Sequence, residues 1–208
     1  MWREADSPKK ALTGATLADG TGAAAVPVSV ILIDHGTITA AGPAASTKIP
    51  GDFETVNVGG KFIVPGLVDV RVVVNAHLGN AGLKNFLTAG VTTVGLDTKV
   101  ESAAPRVFAS KDRRAGFVDL VIASNGSTPE ATMTKIERMA KAGIPGLQII
   151  QAATRNGASW LEQSNLGAIR AGQRADLLVL NADPLANIKN LRQIYRIMLD
   201  GHWVETPK

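Results

Sequence analysis

Short apolar segments separated by turn residues occupy both ends of the chain, and this pattern predicts strands. The segments towards the amino terminus are Ala11–Leu17, Val28–Asp34, Thr37–Ala41, Phe53–Val58 and Lys61–Val64. Those towards the carboxyl terminus are Ala175–Leu180, Ile194–Leu199 and His202–Val204. Both ends of the chain are therefore predicted to be rich in β-structure.

Three dipeptides between these segments are typical of tight turns: His35-Gly36, Gly59-Gly60 and Asp200-Gly201. Glycine adopts a positive φ without strain, which two-residue hairpin loops require. We expect each dipeptide to join two antiparallel strands.

The centre of the chain alternates between strand and helix patterns. Leu67–Val74 and Val91–Leu96 are rich in β-branched residues, and Ala81–Ala89 between them has helical apolar spacing. Together they predict a βαβ unit. Phe117–Ala123 predicts a further buried strand.

Two helices are predicted after that strand. Thr128 is a suitable N-cap with Pro129 at the first helical position, and Gly143 ends the helix. Its apolar face contains Met133 and Met139, which favours core packing over a binding groove. A second helix begins at Pro145, and a turn is predicted around residues 155–157.

Composition excludes several classes of function. The 208 residues include no cysteine, so disulfides, thiolate nucleophiles and zinc–thiolate sites are excluded, and only three histidines are present. The net charge is +4, but the one dense basic cluster, residues 111–114, has no interleaved aromatic residue, which argues against nucleic acid. No apolar run reaches the roughly 18 residues of a membrane span. We expect no nucleic-acid or membrane partner and, given the polar segment 1–19, a cytoplasmic location.

Four stretches, taken in order, resemble the amidohydrolase superfamily. They are Ile33–Gly42, Gly60–Asp69, Phe86–Val94 and Leu166–Leu180. Each is weakly specific alone, but together they cover about half of the chain. The resemblance is to the imidazolonepropionase/dihydroorotase-like branch, which has a composite β-sandwich domain.

The resemblance implies a (β/α)₈ barrel with a small sandwich built from both termini. A full barrel needs about 250 residues, whereas roughly 100 lie between the two sandwich halves. We therefore expect an α/β fold with a β-sandwich. The composite sandwich would comprise residues 1–64 and 166–208, and a truncated barrel remnant residues 65–165.

The resemblance also locates three of the family's functional positions. Its Pro-Gly-Leu-x-Asp strand runs into a His-x-His metal pair, and here Arg71 and Val73 occupy those two places. The aspartate at the end of the last barrel strand, the catalytic base and a metal ligand in the family, corresponds to Asn125. An amide takes no proton from water at neutral pH and is a poor ligand for a divalent cation. We expect no metal site and no cofactor, although the family uses a divalent metal such as zinc, and the catalytic residues stay unknown.

Other polar residues have structural and functional interpretations. Asp69 and Arg71 have same-face spacing in a strand, which favours an ion pair, the alternative being an anion site at Arg71. His77 is a displaced metal ligand or, more simply, a loop residue. His35 and His202 are predicted on the surface, in turns.

The loop serines offer little support for nucleophilic catalysis. Ser124 and Ser127 have no identifiable His, Lys or acidic partner to activate them.

Three functional hypotheses remain. The chain is a hydrolase of carbon–nitrogen bonds in amides or cyclic amides, a non-catalytic relic that acts by binding or self-association, or a gene fragment without function. In an incomplete barrel, Val91–Leu96 and Phe117–Ala123 either pair with each other or leave edges that recruit a second copy. We expect self-association through exposed strand edges, and a small-molecule substrate only if the protein is active.

Overall fold

A computed structural model describes residues 9–73, 79–97, 122 and 128–204 of the chain. Within these ranges, the strands are β1 Lys9–Thr13, β2 Thr16–Leu17, β3 Ser29–Asp34, β4 Thr37–Pro43, β5 Glu54–Asn57, β6 Phe62–Pro65, β7 Leu67–Val73, β8 Val91–Asp97, β9 Leu177–Leu180, β10 Ile194–Leu199 and β11 His202–Trp203. The helices are α1 Gly79–Thr88, α2 Pro129–Lys141, α3 Gly146–Gln151 and α4 Gly157–Trp160. No helix in the described ranges is long and apolar enough to cross a membrane.

Nine of these strands form two mixed sheets. The first has the order β4-β3-β1-β5, and the second has the order β11-β10-β9-β6-β2. Neighbouring strands are antiparallel except that β5 is parallel to β1 and β2 is parallel to β6. The second sheet therefore combines strands from both ends of the chain.

The predicted strand Ala11–Leu17 is divided between the two sheets. Gly14 has a φ of 89°, which separates β1 in the first sheet from β2 in the second. A Cβ atom at Gly14 would lie 3.1 Å from the Cα of Gly59. Glycine is therefore needed here both for its conformation and for the close approach of another chain segment.

Two of the three predicted hairpins are confirmed. His35 and Gly36 have φ values of 44° and 81°, and Asp200 and Gly201 have φ values of 52° and 77°. Two successive positive φ values match the twist of antiparallel strands. The turns accordingly join β3 to β4 and β10 to β11.

The hairpin predicted at Gly59-Gly60 is wrong. A tight turn is present, because Lys61 donates its backbone N–H to the Val58 carbonyl. Only Gly60 of the two glycines has a positive φ, 71°, whereas hairpin turns require one at the first central residue. The turn therefore takes the chain from β5 in the first sheet to β6 in the second.

The second sheet lies between two hydrophobic cores. Along β9, Leu177 and Val179 belong to a core shared with Ile31 and Ile33 of the first sheet. Leu178 and Leu180 belong to the other core, together with residues of β7, α1, α2 and α3. Because side chains alternate along a strand, all four residues of β9 are fully buried.

The predicted βαβ unit is confirmed. β7 and β8 are parallel, and α1 connects them. Gly90, which has a φ of 86°, follows the end of α1. Gly66 separates β6 in the second sheet from β7. This confirms the Pro65-Gly66 turn as the point where the chain leaves the mixed sheets.

The predicted start of α2 is confirmed, but the turn around residues 155–157 is wrong. Pro129 is the first residue of α2, and Gly143 follows its end with a φ of 82°. Residues 152–156 instead form a π-helical segment between α3 and α4. Gly157 is helical, and a Cβ atom there would lie 2.9 Å from Val68 Cγ1. Gly157 therefore allows α4 to lie close to β7 and does not form a turn.

Mixed sheets and few helices confirm the α/β class in its general form. The finer division into a sandwich and a barrel remnant stays a prediction.

Candidate functional site

The carboxyl ends of β7 and β8 lie at the edge of the βαβ unit where a functional site is expected. Parallel strands joined by a helix place their carboxyl ends at one edge, where barrel enzymes have their active sites. β7 ends at Val73 and β8 at Asp97. The segments that follow, 74–78 and 98–121, lie outside the described residues. The described part of this edge is therefore the strands themselves and the elements packed on them.

Asp69 of β7 is the buried carboxylate of this region. Its relative exposure is 0%, as is that of Thr132 on α2. The Thr132 hydroxyl donates to Asp69 Oδ2 at 2.7 Å, and the backbone N–H of Arg71 donates to Oδ1 at 3.1 Å. Asp69 thus holds α2 against β7 and fixes the backbone two residues ahead.

A β-bulge interrupts β7 immediately after Asp69. Asp69 is paired with Val94 and Val72 with Leu96, so two residues of β7 oppose one of β8. Asp69 before the bulge is buried, and Arg71 within it is exposed. The backbone N–H of Arg71 donates to Asp69. The predicted ion pair between the two side chains stays a prediction.

The predicted strand Phe117–Ala123 is described only at Ile122. The Ile122 carbonyl accepts a hydrogen bond from the Val70 N–H of β7 at 2.9 Å, and its side chain is fully buried. This places Ile122 beside β7. His77, Ser124, Asn125 and Ser127 lie outside the described residues.

The remaining predicted residues have structural positions. His35 is in the β3–β4 turn, with 73% of its side chain exposed, next to Asp34. His202 is exposed at the start of β11. The surface placement of both histidines is confirmed. Met133 and Met139 are buried in the core, as the helical spacing predicted.

A cluster of charges between α2 and Arg192 has no local signature in the sequence. Arg192 donates to both carboxylate oxygens of Glu130, at 2.7 and 2.8 Å, and to Glu137 Oε1 at 2.9 Å. Hydrogen bonds from Arg192 lower the pKa of Glu130, and the same bonds raise the pKa of Arg192. These residues are more than 50 positions apart, so no local pattern links them.

Arg192 also lines an open cavity of about 360 Å³. The other lining residues are Thr88, Ala89, Met133, Ile194 and Tyr195. Thr88 and Ala89 lie just before β8, at its amino end. The amino-terminal face of a barrel is the stabilising face rather than the catalytic one. The cavity and its charge cluster therefore favour a structural role.

The described residues do not fit a metal ion. They contain no group of three or more His, Cys, Asp or Glu side chains close enough to hold one. Of the two positions corresponding to the His-x-His pair, one is the exposed Arg71 and the other is Val73, which has no ligand atom. A divalent metal usually needs at least three protein ligands.

Comparisons with known proteins confirm the predicted resemblance. The model of the amidohydrolase family matches residues 106–204. No curated protein matches the chain. A proposed prolidase from Bifidobacterium longum is 15% identical, with coverage of 97% of this chain and 95% of that one and a TM-score of 0.76.

Two further solved structures are similar. Phenylurea hydrolase B is 14% identical, with coverage of 95% of this chain and 97% of that one and a TM-score of 0.72. The guanine deaminase of E. coli is 12% identical, with coverage of 98% and 100% and a TM-score of 0.66. At these identities the similarity shows the fold.

The same comparison overturns the expectation that the chain needs no cofactor. The matched family is typically metal-dependent, so that expectation is wrong. It rested on three positions that the sequence motifs could locate, Arg71, Val73 and Asn125. Substitution at these positions gives no information about ligands elsewhere in the chain.

Proposed function

We propose that this chain is a hydrolase-like relative of the amidohydrolase superfamily in which the family's chemistry is degenerate. That chemistry is the cleavage of carbon–nitrogen bonds other than peptide bonds. The observation that carries the proposal is the end of β7, where Arg71 is exposed within the bulge and Val73 stands at the second ligand position.

Electrostatics and donor chemistry both support this proposal. A guanidinium is permanently charged and has no lone pair to offer a metal, so Arg71 both fails as a ligand and repels a cation. Valine at position 73 offers no donor. A family-type metal site would therefore have to be completed without the first-strand pair.

Asp69 is a poor replacement for the lost catalytic base. Its two carboxylate oxygens accept hydrogen bonds from the Thr132 hydroxyl and the Arg71 backbone. A general base must reach the proton that it removes, whereas Asp69 has no exposed surface. Its contacts support a structural role, the attachment of α2 to β7.

The test is hydrolysis, measured with and without added zinc or manganese. Suitable probes without a peptide bond follow from the names of the similar structures: a phenylurea and guanine. We expect no turnover of any probe above the buffer rate. Turnover that a chelator abolishes, with one metal ion bound per chain, would contradict the proposal.

A variant isolates the contribution of the bulge. Arg71→His with Val73→His restores the residue types of the ligand pair. We expect this variant to stay as inactive as the wild type, because position 71 is exposed and lies within the bulge. A gain of metal-dependent hydrolysis in the variant would show that residue type alone had been lost.

The domain division is part of the proposal. Residues 1–64 and 166–208 would form the composite sandwich, and residues 65–165 the barrel remnant. Support comes from the core shared by the two mixed sheets and from β7 and β8, which pair apart from both.

A second candidate function is self-association without catalysis. The length of β8 and its pairing favour this candidate. β8 is seven residues long, and among the described residues it pairs with β7 on one side only. A strand edge of that length recruits another chain when it is exposed.

A further inference from the structure

The edges of the three described sheets differ in how well they are protected. β2 and β11 are only two residues long, and β5 has four residues, the first of which is Glu54. Short strands and charged residues are common ways to prevent edge-to-edge pairing. These three edges are therefore poor templates for another strand.

The outer edge of β4 is covered by the chain itself. Ile38 donates its N–H to the Gln173 carbonyl, and Gly172 donates to the Ile38 carbonyl. A bridge between Thr37 and Arg174 continues the same contact. β4 also ends in Pro43, which cannot donate to a neighbouring strand.

Within the described part of the chain, β8 has none of these protective features. Its seven residues contain no proline, and its only charged residue is Asp97 at the last position. Its central residues, Thr92 to Gly95, are half-buried, whereas Leu67, Val68 and Asp69 of β7 are almost fully buried. Ile122, the described residue of the segment expected to compete for this edge, is hydrogen-bonded to β7.

We propose that β8 pairs with β8 of a second copy of this chain, antiparallel and centred on Val94. The proposal deepens the self-association candidate above and rests on the barrel being incomplete. A two-fold axis at Val94 places Thr93 opposite Gly95 and Thr92 opposite Leu96 of the second copy. No like charges face each other, and Asp97 lies opposite Val91. The contact closes on itself, as two-fold interfaces do, so it produces a dimer and not a filament.

The pairing also extends the β7–β8 sheet. Two copies would form a four-stranded sheet in the order β7-β8-β8-β7. The backbone donors and acceptors on the outer side of each β8 would gain partners.

A cysteine crosslink tests the geometry directly, because the chain has no cysteine of its own. On the proposed axis the two copies of residue 94 are direct neighbours, within disulfide reach of about 4.4–6.8 Å between Cα atoms. We expect Val94→Cys to form a covalent dimer under mild oxidation. The matched control is Thr55→Cys, at an exposed position on the edge strand β5, which should stay monomeric on a non-reducing gel.

A lysine on the edge tests the same pairing without a crosslink. Light scattering of the wild type should give twice the monomer mass of 21.7 kDa. Thr93→Lys should return the mass to that of the monomer, while Thr55→Lys should leave the dimer intact. Circular dichroism checks that each variant is folded.

A monomeric wild type would overturn the proposal, since the chain itself must then cover β8. A dimer that survives Thr93→Lys, or that crosslinks as readily through Thr55→Cys, would also overturn it. None of these outcomes bears on the hydrolysis assay, so the failure of one proposal is distinguishable from the failure of the other.

Discussion

At the scale of single residues, the Asp69–Thr132 hydrogen bond is a buried polar contact that joins β7 to α2. Both side chains are fully buried, and the bond joins residues 63 positions apart. A buried carboxylate that loses its hydrogen-bond donor stays desolvated without compensation, whereas an exposed carboxylate is rehydrated. The bond therefore matters more for stability than an exposed ion pair does.

We predict that Thr132→Val lowers the free energy of unfolding by about 1–3 kcal/mol. Valine keeps the shape of threonine but removes the hydroxyl donor to Asp69. Thr134→Val is the matched control, because Thr134 is exposed on the same helix. Urea denaturation followed by circular dichroism gives both values. Equal effects of the two substitutions would show that the hydrogen bond contributes nothing specific.

The Asp69–Thr132 pair shows which part of this contact the sequence predicts and which part it does not. A carboxylate within an apolar strand, Asp69, stands out by itself and is predicted to need a partner. Its donor on α2 is chosen by the packing of a helix that begins some 60 residues later. The bulge after Asp69 depends on pairing with β8, so alternation along the sequence does not predict it.

At the scale of elements, Gly66 fixes how closely β7 and β8 approach. A Cβ atom at this position would lie 2.1 Å from Thr92 Oγ1 and 2.8 Å from Thr92 Cβ. Real Cβ atoms do not approach other atoms so closely, so a side chain at position 66 must displace β8. The Pro65-Gly66 pair was predicted as a turn, and the structure adds this packing requirement.

We predict that Gly66→Ala destabilises the protein by about 1–3 kcal/mol, the usual cost of overpacking. Adding Thr92→Ala should recover part of the loss, because it removes the two closest side-chain atoms but not the Cβ. Gly51→Ala is the control, since no atom lies within 4 Å of a Cβ there. A double-mutant cycle measures the coupling. Independent, additive effects would argue against the contact.

Arg192 attaches the 3₁₀ segment Ile188–Arg192 to α2, and this attachment depends on pH. Hydrogen bonds from Arg192 lower the pKa of Glu130 from its ordinary value of 4.5. A lowered folded-state pKa gives a stability contribution that is complete above the unfolded pKa. The contribution is lost as the pH falls through the lower, folded value.

We predict that Arg192→Met lowers the melting temperature at neutral pH and that its difference from the wild type shrinks below about pH 4.5. Protonated Glu130 no longer favours the guanidinium, so the two proteins converge in acid. Arg138→Met, an exposed position on α2, is the control and should show no such convergence. Melting temperatures followed by circular dichroism from neutral to acidic pH test this. A constant difference between Arg192→Met and wild type would contradict the prediction.

At the scale of the whole molecule, the second sheet is the layer that joins everything else. One face of β9 packs on the first sheet and the other on the βαβ unit and helices. Strands from both ends of the chain lie side by side in this sheet. The division of Ala11–Leu17 between two sheets and the path through Gly59-Gly60 were not predictable. Both depend on contacts between distant segments that local patterns do not contain.

A layer shared by two cores should make the protein unfold as one unit. Leu178→Ala removes a fully buried side chain from one of them and should cost about 2–5 kcal/mol. Two variants that each retain one tryptophan report on different regions: Trp160 lies in α4, and Trp203 lies in β11, 4.4 Å from the Arg196 guanidinium. We predict that both fluorescence signals give the same urea midpoint and that Leu178→Ala shifts both equally, because coincident transitions are the mark of two-state unfolding. Separate midpoints, or a shift confined to Trp160, would mean that the βαβ region unfolds independently of the sheets.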